Sequence, residues 1–330
     1  MEYVHLQHSM KGRIIIRRST AFRYVAVFVV IFQASHCLAQ YDSTYIIPPD
    51  QELTAGIYSY YQFTMMTQET GNDEIVYQPN SPVGMGLSVS YKRLSLSGGM
   101  GLNFLRDPER GKTKIIDFQY HIYGRRFILD LFFQNYKGFY KEEDEYTIII
   151  YPNLRLVQYG IFGQYIFNNR KFSYRASFNQ SERQLRSAGS FQLGGGFYYN
   201  QISSDSSLVI NEQQHRLNNY QFSISGGYIY TWIIKKNFYA TIGVSVGLNL
   251  GTETMENLKN IEVSPSMFPR ISMGYNGRNW SLGMSFVMNR MYVSWKDESN
   301  LLFDTGYGQI AFIRRFDVIP GFLKKIKYLN

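Results

Sequence analysis

A chain of 330 residues with 34 Lys and Arg against 25 Asp and Glu is basic, but five of the basic residues and one acid fall within the first 39 positions, so the remainder carries only +5. That residual charge is too mild and too scattered for a nucleic-acid surface. The single cysteine, Cys37, lies in the same leading segment, which excludes disulfides and Cys-ligated metals from the rest. With 45% hydrophobic residues, a mean hydropathy of −0.25 and no later long apolar run, the chain beyond residue 39 reads as a soluble β domain or a membrane barrel.

The N-terminus has the grammar of a secretory signal: scattered Lys11, Arg13, Arg17, Arg18 and Arg23, the short apolar run Tyr24–Phe32, and a small residue, Ala39, at the expected cut. The apolar run is far shorter than the roughly 20 residues that span a bilayer. Residues 1–39 are therefore expected to be a signal peptide, 40–50 an N-terminal periplasmic segment, 51–317 the barrel and 318–330 a C-terminal periplasmic tail.

Period-two alternation recurs along the whole barrel region. It is clear at Val83–Tyr91, Leu94–Phe104 and Trp280–Met288, and weaker at 52–66, 153–167, 267–275 and 307–316. From Phe238 the apolar phase runs Phe238, Ala240, Ile242, Val244, Val246, Leu248, Leu250, while the other phase holds Tyr239, Thr241, Gly243, Ser245, Gly247 and Asn249. The preceding strand sets Phe222, Ile224, Tyr228 and Trp232 against Gln221, Ser223, Ser225 and Thr231. The polar phase favours Gly, Ser, Asn and Thr over long charged side chains, which suits the crowded inside of a barrel. An arginine in place of Ser245 is then expected to stay wet in the lumen, whereas one at Val244 or Leu131 would face lipid. In FSYRASFNQSER, 172–183, the same rule sends Phe172, Tyr174, Ala176 and Phe178 to lipid and Arg175 to the lumen.

Residues 113–136 make a hairpin in which pairing Tyr123 with Arg126 would set Phe118, Tyr120 and Ile122 against Leu131, Leu129 and Phe127, with Asp117, Gln119 and His121 on the polar face. Asp130 then lies diagonally across from His121, able to orient its imidazole. Tight turns at Lys92-Arg93, Gly124-Arg125, Asn168–Lys171, Lys235-Lys236 and Asn276–Asn279 alternate with longer polar segments at 68–81, 105–112, 138–151, 201–219, 251–264 and 293–304. Short turns on one rim and longer loops on the other are the habit of outer-membrane barrels. About thirteen candidate strands result, against the even number such barrels have. Either 206–211 (SSLVIN) is a further strand, or one candidate within 172–200 does not cross. The fold expected is all-β: an antiparallel transmembrane β-barrel of about 12–14 strands with short periplasmic turns and longer outer loops.

The stretch YPNLRLVQYGIFGQYIFNNRKFSYRASFNQSERQLRSAGSFQLGGG, with NYKGFY before it and SDSSL at 204–208 after it, resembles the Bacteroidetes envelope family known as domain of unknown function 4421. The likeness extends from about Asp50 to the C-terminus, and its most specific block is FSYRASFNQSERQLRSAGS. It implies an outer-membrane barrel and hands over no catalytic residues.

Chemistry has few candidates. Beyond residue 39 the histidines are His121 and His215, too few for a transition-metal centre, and no cofactor motif is present, since GGMG (98–101) and LGGGF (193–197) are strand glycines with no helix behind them. The inward-phase groups Asp117, Gln119, His121, Asp130 and Arg175, with the dense polar cluster Glu182, Arg183 and Arg186 near a strand end, form the one candidate site, either contacting a solute or filling the lumen with mutual pairs. Partners are then outer-membrane lipid, the barrel-assembly machinery, and a small solute or lipid ligand, with no nucleic acid. A non-enzymatic narrow pore, ligand carrier or structural envelope protein is the expected role. A lipid-modifying barrel enzyme of the phospholipase or acyltransferase type is the alternative, and it would need a nucleophile beside His121.

Overall fold

The computed structural model describes residues 41–317 except 71–72, 92–93, 145, 206–214, 254–260 and 295–298. The expected signal peptide, the C-terminal tail and the SSLVIN segment lie outside the described residues. No described helix is long and apolar enough to cross a membrane.

The strands are β1 (Ile46–Ile47), β2 (Leu53–Thr70), β3 (Asp73–Tyr77), β4 (Gly84–Tyr91), β5 (Leu94–Gly101), β6 (Lys114–Tyr123), β7 (Phe127–Glu142), β8 (Ile148–Ile166), β9 (Arg183–Gln184), β10 (Ala188–Ser203), β11 (Arg216–Ile234), β12 (Phe238–Thr252), β13 (Glu262–Asn276), β14 (Trp280–Ser294) and β15 (Ser299–Phe316), with one α-helix among the described residues, α1 (Tyr174–Phe178), and two 3-10 turns, Asn103–Leu105 and Pro108–Arg110. Twelve of them neighbour one another in a single curled antiparallel sheet, β5-β4-β2-β15-β14-β13-β12-β11-β10-β8-β7-β6, to which β3 adds on β2. The first and last long strands join over their full length, Leu53 opposite Phe316 and Thr70 opposite Ser299.

The alternation expected of a barrel is present in the wall. Phe222, Ile224, Val244, Val246, Leu248, Leu282, Met284, Ile310 and Phe312 face outward and are exposed, while Ser223, Ser225, Thr241, Ser245 and Asn249 are buried inside. Toward the long-loop end the polarity inverts. There Arg155 is exposed on the outside and bonds Asn135 at 2.9 Å. Inside at that level, Met66, Tyr77, Tyr136, Phe139, Leu154, Ile202 and Phe303 form an apolar core. The segment 138–151, expected as a loop, is mostly strand of β7 and β8, because Phe139, Ile149 and Tyr151 pack in or against this core instead of meeting water.

Residues 172–183 depart furthest from expectation. They are not a strand: the Ser173 hydroxyl accepts from the Ala176 amide and caps the helix α1. The spacing of Tyr174 and Phe178, which fits a strand face, also fits successive helical turns, and the two rings stack at 4.8 Å. Phe172, Tyr174, Ala176 and Phe178 are buried inside the barrel and do not face lipid. The chain between β8 and β10 thus folds back into the short-turn end as a plug, which removes one crossing and leaves twelve strands on the sheet path among the described residues.

Two further expectations are corrected. The β6–β7 hairpin is shifted by two residues, so that His121 lies directly opposite Asp130 and Tyr123 opposite Ile128, since residues 124–126 all serve the turn. And Ser245 has no open lumen beside it: it is 2% exposed, donating to Gln192 Oε1 and accepting from Gln164 Nε2, both at 3.1 Å, so an arginine there would collide with packed groups.

Candidate functional site

The candidate residues do not form one cluster. Alternation places Asp117, Gln119, His121 and Asp130 correctly on the inside, while the plug carries the others, so that the candidates fall into three groups and an outlier.

The first is Asp117 on β6. It accepts from Tyr136 Oη at 2.6 Å, from Gln134 Nε2 at 2.9 Å and from Gln119 Nε2 at 3.1 Å. The second crosses the lumen. His121 Nδ1 lies 2.7 Å from Asp130 Oδ1, and Arg270 Nη2, from the far wall on β13, donates to Asp130 Oδ2 at 3.2 Å. The His121 ring is stacked on Tyr123 and tilted against Tyr307, and those two phenols meet at 3.3 Å. The described contacts of His121 are thus one carboxylate and two phenols.

The third group belongs to the plug. Glu182, 2% exposed, accepts from Ser173 Oγ at 2.6 Å and pairs with Arg125 at 2.9 Å and Arg175 at 3.4 Å. Arg175 therefore reaches Glu182 from within the plug and not from a strand face. Arg183 joins the plug to the wall, donating to Asn237 Oδ1 at 2.9 Å and to the Asn276 carbonyl at 3.2 Å. Arg186 is exposed at the short-turn rim, its guanidinium 5.7 Å from the Tyr45 ring centre, and takes no part in the interior.

Other anchors complete the closure. Ser177 shares hydroxyl contacts at 3.0 Å with Thr231 and Thr241, and Gln180 donates to Tyr239 Oη at 2.8 Å. Arg315, 2% exposed, donates to the Gln180 and Gly277 carbonyls and to Asn276 Oδ1. The N-terminal segment adds its own strand: Ile46 and Ile47 of β1 pair with Gln184 and Arg183 of β9. Burial pushes the Tyr174 phenol up to about 12, keeping it neutral under Arg270. Above the plug, Phe162, Tyr198, Phe268 and Met291 fill the middle of the lumen, with Phe162 and Phe268 reaching across it to stack at 4.8 Å.

Arg270 and Arg315 were not singled out in the sequence. The signal was available: each sits on the inward phase of an otherwise small or apolar strand, where a lone arginine needs a built partner. No group of three or more His, Cys, Asp or Glu able to hold a metal occurs among the described residues.

The fold and interior define an antiparallel β-barrel that holds a segment of its own chain inside the wall. The protein belongs to the family described as domain of unknown function DUF4421, whose pattern matches residues 40–316. No curated protein matches it. Among solved structures it is similar to the outer membrane protease OmpT from Escherichia coli (7% identity, 82% of this chain and 98% of that one, TM-score 0.34). It is also similar to the translocator domain of autotransporter NalP from Neisseria meningitidis (12%, 90% and 96%, 0.34), and to the P. putida toluene transporter TodX (7%, 82% and 91%, 0.23). Superpositions this loose say nothing about what the chain does.

Proposed function

We propose that the protein is an outer-membrane β-barrel of a Gram-negative envelope, exported by a cleaved signal peptide, without enzymatic activity and closed to free solute flow. The membrane reading is supported by the height of the apolar wall. On β12 the outward residues are apolar and exposed from Phe238 to Leu250. Twelve steps at about 3.3 Å each, tilted by about 40°, give a band roughly 30 Å tall, the thickness of a hydrocarbon core.

The observation that carries the role is the plug. Its buried carboxylate, two cationic partners and backbone ties to β12, β13 and β15 make it part of the folded wall, and the aromatic layer above it repeats the closure. This favours a ligand carrier or a structural envelope protein over a standing pore. In this reading His121 is a structural group, its ring fixed by Asp130 and by the rings of Tyr123 and Tyr307.

Planar-bilayer recordings of refolded residues 40–330 test the closure. The wild type should give no steady conductance, and replacing residues 172–186 by a short turn should open one. Stable open-pore steps from the wild type would overturn the reading. Release of acyl chains from phospholipid or lipopolysaccharide by the wild type, lost in His121→Gln, would overturn the non-enzymatic part.

A further inference from the structure

The sheet path ends at β5 and β6, and among the described residues no ladder joins these two strands. At the long-loop end the wall is closed around this place by other means. Gln78 and Tyr140 exchange two backbone hydrogen bonds of 2.9 Å. Asn80 Nδ2 donates to the Asp107 and Gly111 carbonyls at 2.7 Å, and its amide donates to Thr113 Oγ1 at 2.8 Å. The split is therefore confined to the short-turn half. There its flanks are apolar and outward-facing: Leu87 and Met100, 66% and 73% exposed, on one side, and Ile116 and Phe118, 59% and 62%, on the other.

Behind the split the inner wall differs from the rest of the interior. The inner faces of β4 and β5 are bare at Gly84, Gly86 and Gly99, and aromatic rings occupy the vacated space. A Cβ on Gly84 would lie 2.2 Å from the Tyr60 ring, and one on Gly86 would lie 2.3 Å from that of Tyr58. The other side presents Asp117, Gln119 and His121, all half-buried. Asp117 has only neutral donors and no ion pair with Lys or Arg among the described residues, and it lies within electrostatic reach of the Tyr60 phenol.

An open sheet edge does not persist against hydrocarbon, so the split needs an occupant. A single added strand suits it poorly. β5 runs toward the long-loop rim and β6 runs away from it, so an inserted strand would be antiparallel to one edge and parallel to the other. We propose that the split between β5 and β6 is a lateral port for a membrane amphiphile whose amine- or hydroxyl-bearing head reaches between the strands toward Asp117 and His121 while its tail stays in the lipid. This rests on the membrane reading and gives the closed lumen a ligand that never has to pass the plug.

Residues 40–330 contain no cysteine, so paired cysteines report cleanly. Met100→Cys combined in turn with Ile116→Cys and with Phe118→Cys, all outward-facing, samples the registers the strands could take if they were zipped. In detergent, the port gives little direct disulfide under oxidant and efficient bridging by a long-spacer bismaleimide. Quantitative direct disulfide shows paired strands and overturns the proposal whether or not the membrane reading holds. In phosphatidylethanolamine vesicles, a photoreactive benzoylphenylalanine in place of Tyr60 should capture the lipid, and Asp117→Asn should cut that capture about tenfold. The same probe in place of Phe118 touches lipid in any membrane-spanning barrel. Its failure sinks the membrane reading, whereas lipid at Phe118 with none at Tyr60, or a peptide captured at Tyr60, sinks the port.

Discussion

Glu182→Gln is the sharpest perturbation of the plug, because it keeps the shape and removes the charge at the point where three donors converge. Loss of one partner of a buried pair costs about 3–5 kcal/mol. Here one partner, Arg175, is 37% exposed and contributes little once solvent screens it, while Arg125 is 18% exposed and its pairing is only partly desolvated. The Ser173 hydroxyl keeps an acceptor in the amide. The expected loss is therefore about 2–4 kcal/mol, centred on plug docking. Urea unfolding in lipid vesicles, followed by tryptophan fluorescence, reads the stability, and planar-bilayer recording should show intermittent conductance absent from the wild type. Arg125→Gln added to Glu182→Gln should recover part of the loss, since the stranded cation is then gone. A single variant within about 0.5 kcal/mol of wild type, silent in the bilayer, would mean that the charged cluster is not what holds the plug.

Val244→Arg should impair assembly by about 2–4 kcal/mol, read by heat-modifiable gel mobility, because Val244 lies mid-belt on the outer face; assembly at the wild-type level would misplace the belt. Ser245→Arg should now fail too, for want of space, whereas Ser245→Ala should cost about 1–3 kcal/mol, because two buried hydrogen bonds go and both glutamine partners are stranded. Gly138→Ala should destabilise by about 1–3 kcal/mol in the same unfolding assay, since Gly138 has a φ of +95° at a bulge in β7 and an added Cβ would lie 2.4 Å from the Lys112 carbonyl oxygen. His121→Gln should change stability by about 1 kcal/mol or less, since an amide replaces one hydrogen bond to Asp130 that Arg270 also supports.

The wall was legible because lipid selects strongly on one phase. Val244 and Ser245 could be told apart with no knowledge of neighbours, and so could Phe118 and Asp117. The plug was not legible, because Phe172, Tyr174 and Phe178 satisfy a period of two and a helical turn alike, and only the Ser173 cap hints at the second. The register of the β6–β7 hairpin slipped by two because such a shift leaves every side chain on its own face, so the alternation carries no information about it. The cross-lumen pair of Arg270 with Asp130 joins residues 140 apart in sequence, a distance at which alternation says only that both point inward. The apolar core at the long-loop end was missed because 138–151 was read as a polar loop: the charged run KEEDE at 141–145 outweighed Phe139 and Tyr151, which pack inside.

The division of β2 has a mechanical consequence. Its first half, Leu53–Tyr60, carries β4, and its last residues, Met66–Thr70, carry β3. The hairpin of β4 and β5 is thus a two-stranded leaf, hinged along half of β2 and tethered at one rim by the Gln78–Tyr140 bridge, while the other long strands form a braced frame. Thermal motion of the wall should collect in that leaf: backbone amides of Gly84–Tyr91 should exchange with solvent well ahead of those in β12, and shortening the tether at Asn80 should set how far the leaf swings.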